Sequence, residues 1–324
     1  MLHDSSTWSR NFGSSVLVLK ALNLTDVSTN RDWSKYNDEL VRRGQIELDA
    51  SIIDEWKDEL KKENDGKVGE PFHYPEAYIR LIAFVRLLFH LPYRQTEGFM
   101  IFLSKYVDGL KAIDYSALNR RVNKLQIDLE DSLLKSNEPV SIAVDSSGVK
   151  VHNSGDWIRH VWKVRKGYLK IHFAVNIKTK QVVSMDVSSE KVHDSKRLKR
   201  LVNRAKENGV RVKRVLGDGA YDTKDDFKFL SDNQIKPVIR VRSNSVPKSN
   251  GCLPRKEAVI EQQTFKPKSW SKIHRFGYRW RVEGAYSCIK RIFGEYVSAK
   301  KFVNMAKEMA LKVSIYNSFI TAMT

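Results

Sequence analysis

The segment from Phe276 to Lys290 combines acidic and basic side chains at helical spacing. Arg279, Glu283 and Lys290 are separated by four and seven residues, so on a helix they fall close together on one arc. The neighbouring arc is apolar and contains Val282, Ala285, Ile289 and Ile292. One acid between two bases, at the edge of a buried face, could hold a metal ion between anionic phosphates. The alternative is a set of solvated ion pairs, which are common on helices and weakly stabilising.

Two aspartates elsewhere in the chain share a local context. Asp145 follows the apolar run 140–144 and Asp218 follows the run 210–216, and each is succeeded by Ser or Gly. We expect both acids at the ends of buried strands, at the rim of a sheet where open α/β sheets bind ligands. Either one alone could be a turn-forming Asp. Together with Glu283 they supply carboxylate oxygens, the ligand type that hard divalent cations prefer.

The charge of the chain favours a polyanionic partner. Its 324 residues include 57 Lys and Arg against 38 Asp and Glu, a formal charge of +19. Residues 236–301 alone contain sixteen basic and four acidic residues. Counterion release makes nucleic acid the simplest partner for such a patch. An anionic membrane is the competing partner, but the sequence lacks a long basic amphipathic helix flanked by lipid anchors. Without a signal-like N-terminus, we expect a cytoplasmic protein associated with DNA.

The order of elements predicts an α/β fold. Residues 1–30 are weakly patterned, and helical periodicity dominates from there to residue 137. Two predicted helices joined near Gly109 form a candidate helix-turn-helix, with an ordinary helical bundle as the alternative. From residue 138 onward, strands come first and then alternate with helices, which implies a mixed sheet covered by helices. Residues 242–272 are interpreted as a basic, loop-like insertion, and Asp194 as the cap of the helix that follows it.

The motifs VDSSG at Asp145 and GDGAYD at Asp218, with the late helix, resemble those of the DDE transposases of prokaryotic insertion sequences. The similarity is closest to the insertion-sequence-five group of the insertion-sequence-four-like superfamily. On the late helix the family pattern is Tyr, Arg, Glu and Lys, and Phe276 stands at the Tyr position, with Tyr278 nearby and out of register. The resemblance covers about residues 33–320, and its further segments are RQTEGF, DYSALNRR, YLKIHFAVN and KVSIYN.

This resemblance implies an RNase H-like catalytic domain at 138–324 after a helical DNA-binding region at 1–137. It implies that Asp145, Asp218 and Glu283 are the catalytic carboxylates and hold two Mg²⁺ ions, with Mn²⁺ as a substitute. The predicted partner is double-stranded DNA, both the terminal inverted repeats and the target, bound by a homodimer in the synaptic complex. The predicted DNA-binding residues are Arg279, Lys290, Phe276, Trp280, Arg275, Arg281, Arg120 and Arg121.

The function that follows is DNA cleavage at element ends and joining of the 3′ hydroxyls to target DNA. Both steps are the same substitution at phosphorus, so one carboxylate site can serve both. Two alternatives remain at this stage. One is a non-catalytic DNA-binding protein or repressor derived from a transposase, and the other is a stand-alone RNase H-like nuclease that cuts without joining.

Overall fold

The computed structural model describes residues 32–34, 37, 38, 41, 55–152, 160, 168–248 and 251–322. Described residues from 55 to 322 belong to one compact unit. The predictions for residues 1–30 lie outside the described residues, and the boundary predicted at 137/138 stays a prediction. Within the described chain, no helix is both long and apolar enough to cross a membrane.

The first part of this unit is helical, as predicted. Its helices are α1 (Trp56–Asn64), α2 (Glu76–Leu88), α3 (Tyr93–Leu103) and α4 (Tyr115–Val122). Pro75 and Pro92 stand immediately before α2 and α3, where a missing N–H costs no helical hydrogen bond. Asp114 caps α4 by accepting from the N–H groups of Ser116 and Ala117. Residues 104–114 connect α3 to α4, a longer connection than the three- or four-residue turn of a helix-turn-helix.

A mixed sheet forms the centre of the molecule. Its strands are β1 (Val140–Val151), β2 (Tyr168–Asn176), β3 (Val182–Ser189), β4 (Val212–Gly217), β5 (Lys236–Ile239) and β6 (Tyr296–Val297). The order is β3-β2-β1-β4-β5, with β6 pairing with β1. Strands β1, β2 and β3 are antiparallel neighbours, whereas β4 and β6 run parallel to β1 and β5 runs parallel to β4. This confirms the predicted RNase H-like mixed sheet flanked by helices.

Helices cover both faces of the sheet. They are α5 (Ser195–Glu207), α6 (Lys224–Asp232), α7 (Leu253–Thr264), α8 (Pro267–His274), α9 (Trp280–Phe293) and α10 (Phe302–Thr321). Val144 of β1 packs with α5 and α6 in one hydrophobic core. Side chains alternate along a strand, so the next residue, Asp145, points to the opposite face, where α9 packs.

Three boundaries differ from those predicted. Strand β1 continues six residues past Asp145, because Ser146–Gly148 pair with β2 instead of forming a loop. The insertion at 242–272 is not loop-like: it contains most of α7 and α8, whose Pro254 and Pro267 occupy first-turn positions, where proline starts a helix. The late helix begins at Trp280, after a 3₁₀ turn over Phe276–Arg279.

Candidate active site

Strands β1 and β4 place Asp145 and Asp218 side by side. The two strands are parallel and pair through Ala143 with Leu216. Two residues beyond that pair lie Asp145, still within β1, and Asp218, where β4 has ended. The prediction of a carboxylate at the sheet rim therefore describes Asp218, whereas Asp145 occupies the middle of a long central strand.

The GDGAYD motif makes the turn that presents Asp218. Asp218 accepts from the backbone N–H of Ala220 and precedes the 3₁₀ turn Gly219–Tyr221. The buried ring of Tyr221 folds back onto Gly217, where an added Cβ would lie 3.0 Å from the ring. A residue larger than Gly at 217 would therefore require the Tyr221 ring, which packs in the turn after Asp218, to shift by a few tenths of an ångström.

Helix α9 brings Glu283 to Asp145 through a shared guanidinium. Arg279 Nη1 donates to Asp145 Oδ2 over 3.1 Å, and Arg279 Nη2 donates to Glu283 Oε1. Arg279 is the N-cap of α9 and has helical dihedral angles, so its i,i+4 spacing to Glu283 still brings the two side chains together. Asp145 and Glu283 are 138 residues apart in the chain and converge on one side chain.

Negative charge accumulates at Asp145. Burial raises the pKa of its carboxyl, and the charges of Asp218 and Glu283 raise it further. The N–H of Ser146 and the guanidinium of Arg279 oppose that rise. Asp218 and Glu283 thus lie close enough to act on the charge of Asp145, and a cation bound beside Asp145 would relieve that repulsion.

The three carboxylates are of the ligand type that a hard divalent cation prefers, although Arg279 bridges Asp145 and Glu283. Carboxylate oxygens are the ligands that Mg²⁺ takes in proteins, usually with water and phosphate completing the shell. Among the residues that the structure describes, no group of three or more His, Cys, Asp and Glu side chains is arranged to hold a metal ion. A cation shared by Asp145 and Glu283 would therefore have to replace the guanidinium at one or both carboxylates.

Tyr286 is a site residue that the sequence reasoning missed. Its hydroxyl lies 2.9 Å from the carbonyl oxygens of Asp145 and of Ile171, and it can donate to either. Its ring stacks on Phe173, the residue of β2 that pairs with Asp145 of β1. Tyr286 comes three residues after Glu283, so one turn of α9 carries both the acid and the contact that fixes the helix to β1. In the sequence, only the helical spacing of Tyr286 from the apolar residues Val282 and Ile289 indicated that it would be buried.

Replacing Tyr286 by Phe is expected to slow DNA cleavage about fivefold, because the loss of one buried hydrogen bond costs about 1 kcal/mol and loosens Asp145 relative to Glu283. Single-turnover cleavage kinetics would measure the effect, with thermal unfolding as the check on fold. The exposed Tyr278, changed to Phe, is the matched control and should keep the wild-type rate. A Tyr286→Phe enzyme as fast as wild type would remove Tyr286 from this role.

Lys290 lies in the same cavity as two of the carboxylates. A cavity of about 550 Å³ is lined by Asp145, Glu283 and Lys290, together with the Ser146 and Ser147 segment of β1. The structure thus brings together the Arg, Glu and Lys that the helical spacing predicts, on the side of α9 that faces Asp145.

A second and larger cavity begins where α9 starts. It has a volume of about 1000 Å³, and none of the described residues that line it is acidic. Its aromatic residues are Trp270, Phe276, Tyr278 and Trp280, and its basic residues are Arg240, Arg242, Lys268, Lys272 and Arg275. Phe276 packs against Trp270 at 5.1 Å between ring centroids, and the Trp280 side chain is largely exposed. Aromatic faces between cationic side chains are typical of surfaces that bind single-stranded nucleic acid.

Four other residues were predicted to contact DNA. Arg275 and Arg120 are exposed, whereas Arg281 and Arg121 contact other parts of the protein. Arg281 donates to the carbonyl of Lys178 in the β2–β3 turn and lies over the ring of Tyr278. Arg121 lies 4.0 Å from the ring centroid of Phe72 and pairs with Glu63, so its guanidinium is engaged inside the helical region.

Asp194 does not cap α5 as predicted. It occupies the N-cap position, but its side chain makes no capping hydrogen bond. Its carboxylate pairs with Lys170 at 2.7 Å and lies 3.5 Å from His172 Nδ1. Burial lowers the pKa of His172 to about 4, so this ring is neutral at pH 7. His172 follows Ile171 and precedes Phe173 on β2, so its side chain lies on the face of the sheet opposite Asp145.

The last Asp of GDGAYD fixes the helical insertion beside the site. Asp222 is buried and accepts two bonds from Arg255 of α7, at 2.7 and 3.0 Å. It also accepts from the N–H of Arg242 and the hydroxyl of Ser245. This role of Asp222 has no local signal in the sequence, because its partners come from residues 20 to 33 positions later.

Comparison with known proteins places the chain in a family. A family model described as "Transposase DDE domain" matches residues 136–318, more than half of the chain, and a second with the same description matches residues 41–154. A solved structure, the piggyBac transposase synaptic complex with hairpin DNA, is similar at 11% identity and a TM-score of 0.43, over 87% of this chain and 74% of that one. The first of these family matches covers more than half of the chain, and the chain belongs to the DDE transposases.

Proposed function

We propose that this protein is an active transposase that cleaves DNA at the ends of its element and joins the freed 3′ hydroxyls to target DNA. The observation that carries the proposal is the convergence of Asp145 and Glu283 on Arg279, with Asp218 close enough to raise the pKa of Asp145. An insertion sequence of the insertion-sequence-five group is the expected source.

Asp145, Asp218 and Glu283 are the residues that would hold Mg²⁺. When bound, divalent ions supply Lewis-acid activation of the attacking oxygen and stabilise the leaving oxygen. The protein itself holds the three carboxylates in fixed positions relative to one another. Strands β1 and β4 fix the two aspartates, and Tyr286 fixes α9 against β1.

The basic residues around the carboxylates would position the DNA. Lys290 shares the cavity of Asp145 and Glu283 and is placed to bind a phosphate beside the scissile one. Arg279, once released from a carboxylate, could bind a second phosphate with its planar fork. Phe276 and Trp280, in the aromatic and basic cavity, are placed to stack on an unpaired base.

Arg279 and the metal ion are expected to compete for the same carboxylates. Changing Arg279 to Gln should therefore tighten Mn²⁺ binding about three- to tenfold, by removing a charge-assisted contact of about 1 kcal/mol, while weakening cleavage. Isothermal titration with Mn²⁺ would measure the affinity, with Arg275→Gln as the control at an exposed arginine near the start of the same helix. Unchanged Mn²⁺ affinity in Arg279→Gln would show that the guanidinium does not compete.

The test of the function uses the purified protein with DNA that contains the element ends. Mg²⁺-dependent nicking at the ends, followed by joining of pre-nicked ends to a target plasmid, is the expected result. Specific binding without any nicking would favour the repressor alternative, and nicking without joining would favour the stand-alone nuclease. Recovery of paired ends in one complex would support the expected homodimer.

A further inference from the structure

Helix α5 lies on the face of the sheet opposite the three carboxylates. Its apolar residues Leu198, Leu201, Val202 and Ala205 are buried against the sheet. Its other side is strongly basic, with Lys196, Arg197, Lys199, Arg200, Arg204 and Lys206 against the single acid Glu207. The candidate active site uses none of these residues, so their charge requires a separate explanation.

Three of these arginines converge on one carboxylate. Arg197, Arg200 and Arg204 lie at spacings of three and four residues, and all contact Asp186 of β3 at 2.9 to 3.3 Å. The Asp186 side chain is 4% exposed, whereas those of Arg200 and Arg204 are 51% and 38% exposed. Arg200 and Arg204 are therefore held by Asp186 while a large part of each side chain is exposed to solvent.

The cluster carries an uncompensated positive charge. Asp186 and Glu207 are the carboxylates that act on Arg204, and two carboxylates against three guanidiniums leave a net charge of +1 at the sheet edge. Burial and the neighbouring charge of Arg200 lower the pKa of Arg204, which agrees with crowding of like charges. Because Asp186 already restricts the arginines, a bound anion would cost less side-chain entropy than on a row of free lysines.

The edge strand β3 is an unfavourable site for a strand of another protein, because several of its backbone groups already have partners. Strand β3 is the edge of the sheet, but Asn208 donates to the carbonyl of Val183 and Arg204 to that of Met185. Asn317 of α10 pairs with both the N–H and the carbonyl of Val182. A protein strand that added to this edge would have to displace these contacts. The charge therefore favours a polyanion over a β-strand as the occupant.

We propose that Arg197, Arg200 and Arg204 form a second DNA-contact surface, which binds backbone phosphates of a duplex at the β3 edge, on the far side of the sheet from Asp145. The inference rests on the proposed function, since it assigns to the same DNA-binding protein a surface separate from the cleavage site. The surface reads no base edges, so it would contribute to affinity for any sequence.

The test is the salt dependence of binding to a random-sequence duplex, measured by fluorescence anisotropy without divalent metal. Arg200→Gln should reduce the slope of log K against log salt by about 0.9, and weaken binding about fivefold near 0.15 M salt while converging with wild type near 1 M. Arg200→Lys, which keeps the charge, should retain most of the slope. Lys213→Gln, an exposed charge loss on β4 outside the basic patch at 236–301, should change neither quantity.

The outcomes separate this surface from the proposed function. Wild-type protein that fails to bind DNA would contradict the proposed function itself. Wild-type binding with an Arg200→Gln slope equal to the wild-type slope would overturn the second surface alone, as would an equal loss in Lys213→Gln. Arg204→Gln provides a second variant with the same expected direction, and thermal unfolding confirms that each variant is folded.

Discussion

Changing Asp145 or Asp218 to Asn, or Glu283 to Gln, is expected to lower Mg²⁺-dependent cleavage at element ends at least about 1,000-fold, equivalent to about 4 kcal/mol in the barrier. Each substitution keeps the size of the side chain and removes one anionic oxygen ligand. DNA binding should persist, because the basic surfaces that bind phosphates are unchanged and repulsion of the backbone is reduced. Gel-based cleavage and anisotropy on the same DNA would measure the two quantities.

Two exposed acids provide matched controls for these substitutions. Asp225→Asn on α6 and Glu257→Gln on α7 make the same chemical changes away from the carboxylate site. Both should retain cleavage within about twofold, the range expected of surface substitutions. Full cleavage by any one of the three site variants would remove that residue from the metal-binding role.

Changing Asp222 to Asn is expected to destabilise the folded protein by about 3–5 kcal/mol, because it leaves the largely buried Arg255 without its carboxylate. The insertion that contains α7 and α8 should loosen first, since Asp222 connects it to the turn after β4. Denaturant unfolding would measure the free energy, and limited proteolysis of the insertion would locate the change. A variant within about 1 kcal/mol of wild type would contradict this account.

The same carboxylate predicts a pH dependence of stability. Burial alone would favour the neutral acid, but the bonds from Arg255, Arg242 and Ser245 lower the pKa of Asp222 below its ordinary 3.8. A depressed carboxyl pKa contributes stability above the unfolded value and loses it as pH falls through the folded value. The difference in unfolding free energy between wild type and Asp222→Asn should therefore be constant near neutrality and shrink below about pH 4.

Local patterns sufficed for much of the fold. The apolar runs at 140–144 and 210–216 predicted the strands β1 and β4, because such runs depend on residues close in sequence. Strand β1 was predicted too short since Ser146, Ser147 and Gly148 have weak strand propensity, and only pairing with β2 keeps them extended. Helices α7 and α8 were missed because prolines that start helices were interpreted as loop signals.

The same distinction between local and long-range contacts applies to the candidate active site. Helical spacing predicted that Arg279 and Glu283 would meet, and they do. Neither the contact of Tyr286 with Asp145 nor the bonds of Asp222 could be predicted, because each depends on how distant elements pack. Asp194 resembled a helix cap by position, and the competing partner Lys170 lies on a strand that the local pattern does not connect to it.

The most direct test of the central claim is the location of Mn²⁺ by anomalous diffraction from crystals of the protein soaked in that ion. The account predicts a peak within coordinating distance of Asp145, Asp218 and Glu283, with the Arg279 guanidinium moved away from at least one carboxylate. Peaks confined to other parts of the surface at saturating Mn²⁺, with Arg279 still bridging Asp145 and Glu283, would contradict it.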